Sequence, residues 1–521
     1  MSPNPRPTTL IESWLPFATI GAESLRERGA ASALPPLYFL HVWWARRPLT
    51  ISRAAILAGL LPDWATLRAH SDAFPDEAAY RAWFLRLLGI KGKPVKARRQ
   101  LRKARQSGER IRNPYGYDRA FKTSPEADDL ALLAQILSAT WGTNRLQALT
   151  VLDPFAGGGS IPFEARRYGF ATVANELNPV ADVILKATLD YPARFGPELA
   201  RDIREWGTEW YKRVKKKLQP FFTPLPDNAE GAAYLWARTV ACPTTGKPVP
   251  LSPNWWLSKK KPKVAVRMLT DPAWDEPRFE IVKGDAIDFD PNDGTVSYGK
   301  GRSPWTGETI ESNYIKAEAQ AGRMGEMLYA VAIKQNVGFD FRPPIEEDLE
   351  AVQRAKEALA QKRPLWEAQN IIPTEPFPGG NDPRPLIYGM PTWADMFSSR
   401  QLLALGTFVE TLQELREEIR VAMSDDRAAA METELAMAIG KAINYNSYLA
   451  SWHVSRTIMR SVFDRHDFSF KWTFGEFDAS ANLLPWCIDQ IHDAYEGIAD
   501  LIAIPQTTLQ GHTFEYGPLH I

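Results

Sequence analysis

The sequence predicts an α/β protein, with a core of alternating strands and helices set between helical regions and interrupted by a small β insertion. Three observations predict it. A short β-run at residues 150–152 breaks at Asp153-Pro154 and passes through Gly157, Gly158 and Gly159 into a helical stretch. A second β-run ends at Glu176, so strand, turn, helix and strand stand in the order that opens a β-α-β unit. On either side, apolar residues recur at helical spacing, whereas residues 216–330 are rich in Pro, Gly and short β-like runs. With 521 residues, 45% of them apolar, and 18 Trp, the chain exceeds one ordinary core and predicts two to four domains.

Residues 1–130 read as helices separated by Pro-containing turns, with a basic arm over 91–122. A helix over 128–141 leads into the α/β segment, 131–215. The β insertion spans 216–335, with β-like runs at 279–282 and 295–298. From 336 to 500 helical periodicity dominates. Residues 346–362 form one charged helix, and 399–419 place Leu402, Leu403, Leu405, Phe408, Val409 and Leu412 at helical spacing. The Pro and Gly cluster at 373–385 connects these two helices. Trp452, His453 and Arg456 fall in the same region and read as ordinary amphipathic helix packing. Residues 501–521 form the last segment.

Bulk composition narrows the functional classes. The 62 basic and 62 acidic residues cancel, so any nucleic-acid surface has to be local. Between residues 91 and 122, twelve Lys/Arg stand against only Glu109 and Asp118, and shorter basic runs follow at 212–217 and 259–263. Lys96, Arg98, Arg99, Arg102, Lys103, Arg105, Lys259, Lys260 and Lys261 are the candidate DNA contacts. If six to ten such charges met phosphates, binding would weaken roughly 10³–10⁵-fold between low and moderate salt. Solvated helix faces and loops are the ordinary alternative for any one run. Cys242 and Cys487 are the only cysteines, which argues against a disulfide framework and for a reducing, cytoplasmic setting. No apolar run reaches 18 residues and residues 1–6 lack a basic-then-apolar pattern, so neither a membrane span nor a signal peptide is expected.

The chemistry concentrates at 150–178. Three glycines let the backbone turn tightly and approach a ligand that any Cβ would obstruct. Ser160 is placed to cap the next helix, whose N-terminal N–H groups attract a carboxylate or phosphate. Glu176, at the end of the second β-run, stands where an acid accepts hydrogen bonds from ribose hydroxyls in nucleoside-binding α/β folds. A glycine cluster alone marks only a tight turn. Asp153-Pro-Phe-x-Gly-x-Gly159 with the downstream acid resembles the S-adenosylmethionine (AdoMet) signature of amino-methylating DNA methyltransferases. The dinucleotide pattern G-x-G-x-x-G fits poorly, because its last position falls on Pro162. The resemblance implies that Asp153, Pro154 and Phe155 flank the methionine end of the cofactor, Gly157 and Gly159 pass beneath it, Glu176 holds the ribose and Leu177 packs on the adenine. In Trp43-Trp-Ala-Arg-Arg47, Arg46 is a candidate partner for the methionine carboxylate. The bland alternative is a helix start with two core tryptophans and two surface arginines.

More widely, the chain resembles large prokaryotic adenine-specific DNA methylases that begin with a domain of unknown function and carry a zinc-ribbon insertion. The resemblance is carried by His41-Val-Trp-Trp-Ala-Arg-Arg-Pro-Leu49, Asn113-Pro-Tyr-Gly-Tyr117, the loop at 153–160, Trp256-Leu-Ser-Lys-Lys-Lys261, Tyr314-Ile-Lys-Ala-Glu318, Tyr388-Gly-Met-Pro-Thr-Trp393 and Tyr445-Asn-Ser-Tyr-Leu449. It implies a Rossmann-like AdoMet-dependent methyltransferase core, held in whole or in part by this chain, with 336–500 as the candidate target-recognition region. A restriction-modification or anti-phage setting follows by analogy alone.

Two departures matter. Such enzymes use Asp/Asn/Ser-Pro-Pro-aromatic to hold the target amino group of a flipped base, and no such tetrapeptide is present. Asp271-Pro-Ala-Trp274 lacks the second Pro and reads as a hinge between β pieces. Leu34-Pro-Pro-Leu37 lacks both acid and aromatic. Leu509-Gln-Gly-His-Thr513 resembles the strand leading to that motif, with His512 where an acid is usual. The chain therefore reads as one half of a split enzyme, a truncation or a dead homologue, with the first preferred and a second methyltransferase subunit expected as partner. A non-catalytic DNA-binding scaffold of a defence complex is the alternative. The zinc ribbon is also degenerate: Cys242-Pro-Thr-Thr-Gly246 and Ser303-Pro-Trp-Thr-Gly307 keep one thiol of four, so no metal is expected, and Trp255, Trp256 and Trp305 are expected to hold the insertion by packing. Asp285, in Gly284-Asp-Ala286, reads as a turn rather than an adenine-reading acid.

Overall fold

Local chemistry starts several of the N-terminal helices. Asp63 and Asp76 each stand one residue before a helix and accept the N–H of Thr66 and Ala79, opening Trp64–His70 and Glu77–Leu87. These helices belong to a mixed helix-and-sheet protein, a computed structural model describing residues 6–30, 33–143, 146–380, 382–503 and 517–521. The chain divides into two compact units, Met1–Ile203 with Ala429–Glu434 and Gln490–Ile521, and Arg204–Ala428 with Leu435–Asp489. The segment 509–513 lies outside the described residues.

In the first unit, β1 (Thr150–Asp153) runs parallel to β2 (Ala171–Ala174), and Leu519–His520 lies parallel on the far side of β2. Parallel neighbours need a crossover, and Ser160–Arg167 supplies the helix between β1 and β2. That helix is almost wholly buried, and its Glu164 is the charged centre of the unit. Its Oε2 accepts from Arg53 Nε at 2.7 Å and its Oε1 from Arg167 Nη1 at 2.9 Å, with all three side chains shut off from solvent. Most of the remaining N–H donors of the two guanidinium groups go to backbone carbonyls, while Arg53 Nη2 is buried without a partner. Arg53 donates to Leu88, Ala120 and Thr123, and Arg167 to Phe121, Thr123 and Leu501. Tyr80, Trp83, Phe84, Leu133 and Tyr168 pack around them as the apolar core.

The helix Leu49–Leu60 follows Pro48, which has no side-chain acceptor to cap it. Buried Glu27 performs that task from the helix Phe17–Glu27: its carboxylate accepts from the N–H groups of Leu49 and Thr50 and from Thr50 Oγ1. Burial raises the Glu27 carboxyl above its usual range despite these donors. This cap fixes the entry of the chain from 41–48 into the helix.

The second unit is built on β3 (Ala229–Ala241), which pairs antiparallel with Gly325–Gln335, Thr473–Phe477 and Pro248–Leu251. Side chains alternate along it. Ala233, Leu235 and Ala237 join a core with Trp255, Val264 and Tyr329. Tyr234 and Trp236 meet a buried ion pair, Arg400 Nε and Nη2 donating to Glu476 at 2.9 and 2.8 Å, and Trp236 Nε1 completes it at 2.9 Å. Separate small sheets, Trp256–Ser258 with Val264–Leu269 and Arg278–Lys283, and Val296–Ser297 with Lys300–Arg302 and Thr309–Ile310, make up the rest of the β region. Trp255 packs edge-on to Tyr329, Trp305 donates to Pro248 O, and Trp256 donates to Asn292 at the surface. Asp271–Trp274 is an exposed turn between two strands, and Gly284–Ala286 is likewise a turn.

The two long helices run Glu346–Ala368 and Ser399–Ala422, the first continuing through Pro364. Residues 452–456 depart from the helical expectation. The helix Asp425–Tyr445 ends at Asn446, and Ser451–His453 pairs with Ile458–Arg460 as a β-hairpin. Trp452 lies edge-on to Phe339 and Phe341 and donates to Leu257 O at 2.7 Å, so packing on a sheet overrides helical periodicity there. No helix among the described residues is long and apolar enough to cross a membrane.

Replacing Glu164 with Gln leaves two buried guanidinium groups without a counter-charge, and should cost about 3–5 kcal/mol of stability. Urea denaturation measures it; a loss under about 1 kcal/mol would show that the carbonyls alone suffice.

Candidate functional site

β1 ends at Asp153, whose Oδ1 accepts the N–H of Phe155 at 3.2 Å; burial pushes its carboxyl above the usual range. The chain then turns through Ala156 and the glycines. Ala156 N–H donates to Asn175 O, and Asn175 N–H donates to Asp153 O, which ties the loop to the end of β2. Gly157 has φ +51° and Gly159 φ +78°, the left-handed conformations that favour glycine. Glu176 lies across the loop. Its Oε2 accepts from Gly157 N–H at 2.7 Å, nineteen residues away in sequence, and its Oε1 accepts from Leu177 and Asn178. The amides of Asn178 and Gly157 hold this exposed carboxyl below its usual range. The predicted loop and acid are therefore one local structure. Asn178 caps the helix Pro179–Leu185 through Val180 N–H, whereas Ser160 makes no cap and its hydroxyl is buried without a partner.

The segment 43–46 lies on the loop. A Cβ on Gly157 would stand 2.7 Å from Trp43 Nε1, one on Gly158 3.0 Å from the Arg46 guanidinium, and one on Gly159 2.9 Å from Leu185 Cδ2. The glycines are thus required partly by side chains of the same unit, a contact that no sequence spacing announces. Burial in the segment departs from the bland alternative at two positions and agrees with it at one: Arg46 is 3% exposed and Trp44 49%, whereas Arg47 is a surface arginine. Arg46 Nε and Nη1 have no hydrogen-bond partner, Nη2 reaches His41 O at 3.5 Å, and the guanidinium lies 5.4 Å from the centroid of the Tyr38 ring. Burial pushes its pKa down to about 10, so it remains cationic at neutral pH. Around the loop, Phe155 and Leu177 are 86% and 96% exposed. A buried cation without a carboxylate partner, a carboxylate ordered by backbone amides and two exposed apolar side chains thus lie at or beside the glycine loop.

The basic candidates fall into both units. Lys96, Arg98, Arg99, Arg102, Lys103 and Arg105 lie on one helix, Pro94–Ser107, in the first unit. Lys259, Lys260 and Lys261 follow the strand Trp256–Ser258 in the second. Lys260 is committed within the protein, its Nζ donating to Arg456 O at 2.6 Å and Thr457 Oγ1 at 2.9 Å, and Lys259 lies over the Trp256 ring.

The two degenerate knuckles keep their backbone shape. Gly246 N–H donates to Cys242 O and Cys242 N–H to Lys247 O; Gly307 N–H donates to Ser303 O and Ser303 N–H to Glu308 O. Thr245 and Thr306 hydroxyls accept from the amides two residues on. Ser303 Oγ lies 3.2 Å from Cys242 Sγ, which is 3.0 Å from Glu308 Oε1, while Thr244 Oγ1 donates to Glu308 Oε2. One thiol amid hydroxyls and a carboxylate does not fit a closed zinc site; hydrogen bonds join the turns. Buried His492 and exposed Asp493 and Glu496 bring ligand-type atoms within 4.8 Å of one another, which by itself is common without an ion.

Residues 14–86 match a family described as a protein of unknown function (DUF1156). No curated protein and no solved structure matches the chain. The matched stretch includes Trp43, Arg46 and Arg53.

Because the Arg46 charge is buried without a partner, Arg46→Met should leave the thermal midpoint of the ligand-free protein unchanged or raised. A fall of more than about 4 °C would make it a structural residue instead.

Proposed function

We propose that this chain binds AdoMet and forms the cofactor-binding part of a DNA adenine-N6 methyltransferase, with the catalytic tetrapeptide supplied by a partner chain. The observation that supports it most is the buried, unpaired Arg46 guanidinium beside a glycine loop whose first glycine is bonded to Glu176. In this reading the three parallel strands, ordered β1, β2 and Leu519–His520, are the first half of a Rossmann-like sheet. Ligands of such sheets sit beyond the carboxyl ends of the strands, where Asp153, Pro154, Phe155, Gly157 and Gly159 lie.

Each residue then has a task. Arg46 pairs with the α-carboxylate. Gly157 and Gly159 keep the backbone close, and Glu176 exchanges an amide partner for ribose hydroxyls. Leu177 and Phe155 cover apolar parts of the ligand. AdoMet, when bound, supplies a methyl group activated on a sulfonium. The adenine N6 must come from a base flipped out of the duplex. Its amino group needs the polar-Pro-Pro-aromatic motif that these 521 residues lack, and transfer then depends on positioning more than on a strong base. The cations of the helix Pro94–Ser107, with Lys259 and Lys261, contact DNA phosphates, and residues 336–500 carry target recognition. A role in restriction-modification or anti-phage defence rests on analogy alone.

The missing tetrapeptide equally favours a second reading, a DNA-binding scaffold that has lost the chemistry. Titration calorimetry separates them. The methyltransferase reading predicts AdoMet binding by this chain alone, no binding of NAD or FAD, and loss of AdoMet binding in both Gly157→Asp and Glu176→Ala; because Glu176 accepts three backbone amides, an unchanged thermal midpoint of the second variant accompanies the titration. Salt-sensitive DNA binding without AdoMet binding supports the scaffold. Because Glu176 is held below its usual range, its charge is lost only as the pH falls through that lowered value, so AdoMet affinity should be flat from about pH 5 to 8. A loss of affinity centred near pH 6 would contradict the role given to Glu176.

A further inference from the structure

The helices Phe17–Glu27 and Pro94–Ser107 pack together and leave a groove between them, outside the glycine loop. It consists of two hollows of about 430 and 470 Å³ that share Leu25, Arg98 and Arg102. The floor is apolar. Phe17 is 76% exposed and Leu25 54%, with the small Ala18 and Gly21 beside them. One wall is arginine: Arg98, Arg102 and Arg105 recur at i, i+4 and i+7, spanning about 10 Å of helix. At one end stands Tyr115, with the Arg26 guanidinium 3.9 Å from its ring centroid.

Pro94–Ser107 carries six cations and no acid, and among the described residues none of the six forms an ion pair. Like charges one turn apart on a helix repel, so the wall is suited to an anionic partner. The apolar floor restricts the choice. A duplex turns phosphates outward and keeps its bases stacked inside, so it gains little from Phe17 or Leu25. An acidic amphipathic helix seats a row of apolar anchors at i, i+3/i+4 and i+7, whereas the large exposed apolar side chains here are only Phe17, Leu25 and Leu101, with arginine along the whole wall. A single strand of nucleic acid offers phosphates to the guanidinium forks and unstacked bases to the rings.

We propose that this groove binds single-stranded nucleic acid, with Arg98, Arg102 and Arg105 on phosphates and Phe17 and Tyr115 against bases. The proposal rests on the nucleic-acid part of the proposed function and adds the strand state.

Fluorescence anisotropy with a labelled 12-nucleotide DNA strand, alone and as a duplex, tests it on the full chain. The single strand should bind about 10-fold tighter or more. Phe17→Ala should weaken the single strand about 5-fold or more and leave the duplex unchanged. Arg98→Ala with Arg102→Ala should lower the salt slope by about 1–2. All three side chains are exposed, so these variants keep the fold. A duplex that binds as tightly, an unaltered Phe17→Ala, or equal displacement of the strand by polyglutamate would overturn the groove as a single-strand site. If AdoMet still binds in such a case, the cofactor reading stands and only the groove falls. Failure to bind either form of DNA removes the nucleic-acid reading with it.

Discussion

The first unit depends on one buried carboxylate. Glu164 stands between Arg53 and Arg167 in a region that no water reaches, and the three are tolerable there only because each has the others. Through the donors left over, the same trio holds the loops at Leu88 and at 120–123 and the end of the helix Leu483–Ile502. Glu164 sits on the helix that begins at the glycine loop, so the orientation of the loop and the packing of the N-terminal helices are parts of one constraint. Glu27 adds the second fastening by capping Leu49–Leu60, which places Trp43 and Arg46 against the glycines.

Against that background the isolation of Arg46 is informative. Arg53, Arg167 and Arg400 each have a buried carboxylate within 3 Å. Arg238 in the second unit also has unpaired nitrogen atoms, yet it lies 4.0 Å from the Tyr448 ring and 5.0 Å from Phe470, which cover it. Arg46 has no carboxylate partner, and the Tyr38 ring stands farther off, at 5.4 Å. A buried cation in that position is costly unless an anion reaches it, and Gly158 of the glycine loop lies against its guanidinium.

The strand, turn, helix and second strand at 150–174 were legible because local chemistry dictates them: β-branched runs, a Pro, three glycines and an acid at a set distance. The two knuckles were legible as turns, since Gly246 and Gly307 mark them, but the hydrogen bonds that join them through Glu308 were not foreseen, packing by Trp255, Trp256 and Trp305 being expected instead. Contacts between distant segments were not. Nothing near Glu164 in sequence names Arg53 as its partner, and nothing in Trp43-Trp44 says which ring lies on Gly157. The hairpin at 451–460 escaped notice because Trp452 finds its partners, Phe339 and Phe341, more than a hundred residues upstream. Lys260 looked like one of three free cations, yet its ammonium is bonded within its own unit.

The most direct measurement compares two ligands that share a nucleoside and differ in the amino-acid end. With AdoMet and 5′-methylthioadenosine titrated against the native chain and against Arg46→Met, the native protein should prefer AdoMet by about tenfold or more, as a charge-assisted pair implies, and the variant should lose that preference while keeping its affinity for the smaller compound. Equal binding of the two ligands by the native chain, or a preference that survives the substitution, would contradict the assignment of Arg46 and the loop to a carboxylate-bearing nucleoside.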